Sequence, residues 1–252
     1  MRVNEIAARG YGNAAEVYER ARPGYAADAV AWVCERLGIG AGRTVLDLGA
    51  GTGKLTRDLV STGARLIAVE PVEEMLAKLV EVVPGVEALA GTAEQLPLAG
   101  TSVDAVVSAQ AFHWFKADQA LPEIHRVLRP GGAIALLWNS RDLSDPIQER
   151  IDAVLEPVRG PVERCWHQQA KADTALEGSP LFGPVEHRTW PGEQRVTIEE
   201  LLEVVASRSY VASLEEPERR EVLDSTRETV AGESEPILLR YDVDVFVADR
   251  AP

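Results

Sequence analysis

The stretch Asp47-Leu-Gly-Ala-Gly-Thr-Gly-Lys54 decides how this chain reads. The run leading into it, Thr44-Val-Leu-Asp47, has the pattern of a buried strand, and Lys54 to Val60 reads as a helix with Leu55 and Leu59 on one face. A strand that breaks into a glycine turn and then a helix lets backbone approach a ligand closely. It also aims the N–H groups of the helix start at that ligand. Seventeen residues after Gly53, the next strand, Arg65-Leu-Ile-Ala-Val-Glu70, ends in an acid. The Glu70 carboxylate then lies over the same crevice, where it can accept both hydrogen bonds of a ribose diol. Together these features imply a nucleoside-bearing ligand.

Spacing narrows the choice. A P-loop needs two glycines five apart followed by Lys and then Ser or Thr. Here Leu48 stands five before Gly53, and Lys54 precedes Leu55, so the P-loop fails. A dinucleotide turn wants G-x-G-x-x-G, but counting from Gly49 the sixth position is Lys54, and the third glycine arrives one residue early. The pattern that remains is an acid two residues before G-x-G-x-G. It resembles motif I of the class I S-adenosylmethionine-dependent methyltransferases. S-adenosylmethionine (SAM) carries no phosphate, so a turn plus the Asp47 carboxylate suits it better than a phosphate cradle.

The resemblance runs from about residue 40 to about residue 140, with five motifs in family order. Glu70-Pro-Val-Glu-Glu-Met75 looks like the second motif, which implies the acid on the ribose hydroxyls and Met75 under the adenine. Gly91-Thr-Ala-Glu-Gln-Leu-Pro-Leu98 looks like the loop bordering the adenine edge. Ser102-Val-Asp-Ala-Val-Val-Ser108 looks like the fourth strand. Leu128-Arg-Pro-Gly-Gly132 with Ala133-Ile-Ala-Leu-Leu-Trp138 looks like the turn and fifth strand. With Tyr18 to Tyr25 and His113-Trp-Phe115 included, the chain is most similar to the small-molecule branch that contains trans-aconitate methyltransferases. The resemblance implies a cofactor site of Asp47, Gly49, Ala50, Gly51, Gly53, Glu70, Pro71, Met75, Thr92, Ala93, Glu94 and Gln110, with S-adenosylhomocysteine (SAH) as product. Many relatives carry an acid where Thr92 stands, and Glu94 is the nearest substitute.

The expected fold is α/β: a Rossmann-like, doubly wound, mostly parallel seven-stranded sheet with an antiparallel last strand and a helical lid. Strands are predicted at 43–48, 65–70, 86–90, 103–108 and 132–138, alternating with helices near 53–62, 72–82 and 117–128. Residues 1–40 read as an N-terminal helical cap and 41–140 as the SAM-binding core. Residues 141–252 read as a part that completes the sheet and carries the lid helices. In that last part we expect helices at 146–158, 161–176, 198–214 and 217–230, and strands at 185–190 and 237–247 forming an antiparallel pair.

Methyl transfer requires an acceptor held in line with the methyl group, and a general base where the acceptor must lose a proton. His113 follows the fourth strand and is the candidate base; its alternative is a loop-shaping imidazole. Trp114, Phe115 and Trp138 are candidates for an apolar acceptor wall. Tyr18, Tyr25 and Tyr210 are candidates in the cap and lid, and Arg22, Arg141 or Arg208 can grip an acceptor carboxylate bidentately.

A net charge of −14 and a pI near 4.8 argue against a nucleic-acid partner and against docking on an anionic membrane. Two cysteines in unrelated segments and four histidines without ligand spacing argue against a metal and for a reduced, cytoplasmic protein. The sequence therefore points to an enzyme, monomer or homodimer, that methylates a small organic acceptor at oxygen, a carboxylate being one candidate. Two alternatives stay open: a SAM-binding regulatory protein without catalysis, and a nicotinamide oxidoreductase disfavoured by the missing sixth-position glycine.

Overall fold

The computed structural model describes residues 15–159 and 175–252. The helix expected at 161–176 lies almost wholly outside them. Two short helices open the described chain, α1 (Ala15–Ala21) and α2 (Ala27–Leu37). Pro23 and Gly24 separate them, so the predicted helical stretch is broken. Helix α2 buries Ala29, Val30, Val33 and Leu37. It stops at Gly38, whose φ of 61° lets its N–H reach Glu35 O while the Ile39 N–H reaches Cys34 O.

The alternating half follows as β1 (Thr44–Leu48), α3 (Lys54–Leu59), β2 (Arg65–Glu70), α4 (Glu73–Val82), β3 (Glu87–Ala90), β4 (Val103–Ala109), α5 (Ala117–Val127) and β5 (Leu128–Arg141). The remainder is α6 (Pro146–Leu155), β6 (Glu186–Val196), α7 (Ile198–Ala206), α8 (Ser209–Ala212), α9 (Glu216–Val230) and β7 (Ile237–Asp249). Seven strands form one sheet in the order β3-β2-β1-β4-β5-β7-β6. The pairs among the first five are parallel, and β7 runs antiparallel to both β5 and β6. The sheet is thus the expected one, with the last strand inserted antiparallel beside the edge.

Alternation along the strands divides the core into two layers. Leu46, Leu48, Ile67, Val69, Ile134, Leu136 and Trp138 pack on one face with Leu121 and Ile124 of α5. Val45, Leu66, Val107, Ala135 and Leu137 pack on the other with Val33 of α2 and with Leu55 and Leu59. A third core, including Ile151, Leu155, Leu201, Val205, Val222 and Tyr241, joins α6, α7 and α9 to the start of β7. The strand order turns back between β1 and β4, and a crevice opens at their carboxyl ends.

Two boundaries differ from expectation for identifiable reasons. Strand β6 does not stop at Trp190 but runs through Pro191 and Gly192, because as an edge strand it needs no hydrogen bond from its outer side. The single helix expected at 198–214 is two, α7 and α8. Ser207 Oγ turns back onto Val204 O at 2.7 Å, and Arg208 takes an extended ψ of 132°. Among the described residues no helix is long and apolar enough to cross a membrane.

Candidate active site

The crevice widens into a cavity of about 610 Å³, within the range of small-ligand sites. Its floor is the turn after β1. Gly49 and Gly51 hold φ of 70° and 56°, and the N–H groups of Gly49 and Ala50 both reach Val69 O. A Cβ on Gly49 would lie 2.5 Å from Ala111 Cβ, so only glycine fits between β1 and the loop after β4. A Cβ on Gly51 would meet nothing within 4 Å, which leaves that face to a ligand.

Glu70 closes the turn. Its Oε2 accepts from the Gly51 N–H at 2.9 Å and its Oε1 from the Val72 N–H at 3.0 Å. A carboxylate has about four lone-pair sites, so two remain for a diol. Burial is the largest influence and pushes the carboxyl up to about 7, against the pull of those two backbone bonds and with a further push from Asp47. Asp47, buried at the end of β1, rises to about 6 for the same reason. Its Oδ2 accepts from Thr56 Oγ1 at 2.6 Å, while Oδ1 is buried without a partner.

Met75 is buried beside Val72 and Tyr18, and Pro71, Thr92, Ala93 and Glu94 continue the wall. Thr92 Oγ1 is buried without a partner. Glu94 spends one oxygen on the Lys116 N–H at 2.9 Å, so the threonine is the less committed acceptor. Gln110 is a non-glycine residue at a φ of 55°; its N–H reaches Leu137 O and its Nε2 reaches Asn139 O at 3.1 Å. The structure therefore collects eleven of the twelve expected cofactor residues at one cavity. The exception is Gly53, which is not in the lining. A Cβ there would come within 3.0 Å of Leu79 Cγ, so this glycine serves the packing of α3 on α4.

The acceptor end departs further from expectation. Tyr18, Arg22, Tyr25, Trp114 and Phe115 line the cavity, but His113, Trp138 and Tyr210 do not. His113 lies behind the wall, its Nδ1 3.5 Å from Trp138 Nε1, and burial lowers its imidazole to about 3. Such a group is neutral and feebly basic at pH 7, and its place behind the aromatic ring keeps it from an acceptor. Trp138 is core, edge-on to Phe246. Tyr210 packs in the third core, where its hydroxyl accepts from Arg208 Nη1 at 3.3 Å.

The sequence reading missed three contributions. Glu19 ties α1 to the turn helix: it accepts from Thr52 Oγ1 at 2.5 Å and Arg57 Nη1 at 2.8 Å, and its backbone O accepts from Lys54 Nζ at 2.6 Å. Arg159, just beyond α6, and Tyr241, in β7, also line the cavity. Nothing in the local pattern marks either one; only the return of the chain across the sheet brings them in.

Comparison with known proteins bears on this geometry. Residues 46–136 match the Methyltransf_11 family, a methyltransferase domain. An uncharacterised methyltransferase of Mycobacterium tuberculosis is 38% identical over 230 residues, covering 88% of this chain and 85% of that protein. The chain belongs to this methyltransferase family. The fold agrees. A methyltransferase from an antibiotic biosynthesis pathway of Anabaena variabilis superposes with a TM-score of 0.63 at 23% identity, covering 90% of this chain and 98% of that one. A phosphoethanolamine N-methyltransferase of Haemonchus contortus, solved with SAH, superposes with a TM-score of 0.55 at 16% identity, over 100% of this chain and 61% of that one.

SAM is the methyl donor of this methyltransferase. The residues present suit it: the open face at Gly51, the spare lone pairs of Glu70, and the unpartnered Asp47 Oδ1 and Thr92 Oγ1 are what a nucleoside with an amino acid tail would engage.

Proposed function

We propose that the enzyme methylates a small organic acid at a carboxylate oxygen. One observation carries this reading: Arg22, Arg141, Arg159 and Arg208 line the same cavity as Asp47 and Glu70. The arginines come from four places, namely the loop after α1, the end of β5, the segment after α6 and the break between α7 and α8. An acidic chain that gathers four guanidiniums at one cavity is arranged for an anion.

On this reading the cofactor is held by Asp47, Gly49, Ala50, Gly51, Glu70, Pro71, Met75, Thr92, Ala93, Glu94 and Gln110. Bound SAM supplies a methyl group on a sulfonium, and its transfer to an ionised carboxylate leaves a methyl ester and SAH with no proton to move. The protein then needs no general base, in keeping with a cavity from which His113 is withdrawn. Its task is alignment, which is worth on the order of 7–11 kcal/mol when complete. Arg22 aims the carboxylate on this reading, which its restraint supports: its Nη2 donates to Ser207 O at 3.0 Å and its guanidinium lies 5.4 Å from the Tyr18 ring centre. Helices α7 and α8 bring Val204, Arg208 and Ser209 to the cavity and serve as the lid.

The test uses SAM carrying a ¹³C methyl group and a panel of aliphatic and aromatic acids. The expected product releases labelled methanol under mild alkali, as a methyl ester does. Label that survives alkali, on nitrogen or carbon, would overturn the reading.

A further inference from the structure

Resting on that reading, we propose that Arg141 and Arg159, bridged by Asp152, form a second anion subsite, so that the acceptor carries two acidic groups. One is methylated, and the other, a carboxylate or a phosphate, is held at this subsite.

Both guanidiniums meet on a single oxygen. Arg141 Nη1 donates to Asp152 Oδ1 at 2.7 Å, and Arg159 Nη2 donates to the same atom. Asp152 projects from α6 and is itself mostly buried. One carboxylate shared by two arginines leaves a surplus positive charge. Among the described residues the other acid paired with Arg159 is Glu156, at 2.9 Å but 61% exposed, where solvent screens it. Arg159 is the most enclosed of the four: its side chain is 4% exposed and its Nε has no hydrogen-bond partner. A buried cation short of hydrogen bonds is costly to keep and persists where a ligand completes it.

The subsite stands apart from the carboxylate proposed for methylation. The Arg22 guanidinium lies 5.4 Å from the centre of the Tyr18 ring, which packs on Val72 and Met75, and so sits toward the cofactor end. Arg141, in contrast, is surrounded by Arg208, Tyr210, Asp152 and Arg159, and burial with two cations holds its guanidinium below the usual range. Tyr241 joins the two regions: burial raises its phenol, while Arg208, Arg22 and Arg141 all pull it down. Its hydroxyl makes only a long 3.5 Å contact to Gln194 Oε1, which a bound acid group can replace. Asp152 is thus a positioning residue, which orients two guanidiniums and limits how much anionic charge the subsite accepts.

The test is calorimetric titration of SAH-saturated enzyme with glutarate, 3-phosphonopropionate and valerate. At least one of the two dianions should bind ten-fold or more tighter than valerate, which matches glutarate in chain length; whichever dianion wins identifies the distal group. Arg159→Gln, which leaves the Arg141–Asp152 pair in place, should abolish that ratio without altering SAH affinity, and Arg159→Lys should restore part of it. Valerate binding as tightly as both dianions, or an undiminished ratio in a folded Arg159→Gln protein, would overturn the subsite. Failure to bind SAH at all would instead strike the methyl-transfer reading beneath it.

Discussion

Glu70 joins the turn after β1 to the end of β2, and its protonation state is the most readable chemical property of the site. Its carboxyl is raised to about 7 and that of Asp47 to about 6, in both cases chiefly by burial. Between the unfolded values, about 4, and these folded values the ligand-free protein binds more protons than the unfolded chain. Their contribution to stability is therefore fully present below about pH 4 and is lost as pH rises through 7. Ligand binding runs the other way, because a diol needs the ionised carboxylate. The rise in thermal midpoint caused by SAH should grow from pH 6 to pH 8, and a shift independent of pH would contradict the role given to Glu70. His113 supplies the contrasting case. Its position after β4 suggests a base, but the sequence could not show that the short turn over Phe112–Trp114 buries the imidazole beside Trp138 and outside the cavity lining. His113→Gln should lower the melting temperature while leaving kcat within about three-fold, since no proton transfer of the order of 10²-fold is lost. A hundred-fold fall in kcat in the folded variant would restore the base.

At the scale of elements, motif order made β1 to β5 legible because each glycine and acid sits where the chain reverses at the sheet edge. The additions were less legible. Ser207-Arg-Ser209 has no proline or glycine, so the break between α7 and α8 left no mark, yet it delivers Arg208 to the cavity and Ser207 O to Arg22. Helix α1 was visible as a helix, but not the means by which it stays in place. Besides burying Ala15 and Ala21, it is held by polar ties: Glu19 to Thr52 and Arg57, Arg20 to Glu203 at 2.6 Å, and Ala21 O to Gln194 Nε2 at 2.8 Å. The part-buried bond from Thr52 to the Glu19 carboxylate is worth about 1.5–3 kcal/mol, whereas exposed pairs such as Arg20–Glu203 add little. Glu19→Ala should therefore loosen α1 and raise the SAH off-rate roughly ten-fold, a change stopped-flow fluorescence can follow. An unchanged off-rate would show that α1 does not retain the cofactor.

Across the whole molecule the charge is segregated. The chain carries a net charge of −14, while the cavity presents Arg22, Arg141, Arg159 and Arg208. At long range the protein repels the anion that its interior is built to hold. Salt with a Debye length near 10 Å at 0.1 M screens the first effect more than the second. The association rate of an anionic acceptor should accordingly rise a few-fold between about 0.01 and 0.1 M ionic strength; a steep fall would mean that the arginine cluster, and not the net charge, governs the field the acceptor meets. The overall composition disclosed the acidity but not the cluster. Its members are spread from Arg22 to Arg208, and only the strand order brings them together.

The account depends on a nucleoside cofactor gripped by Glu70 at the carboxyl edge of the sheet. Calorimetric titration of SAH into the native enzyme and into Glu70→Ala tests it most directly. Micromolar binding that weakens at least about 100-fold in the variant is predicted, as two charge-assisted hydrogen bonds would require. Heat of the same size and affinity in both proteins, or none in the native enzyme, would contradict it.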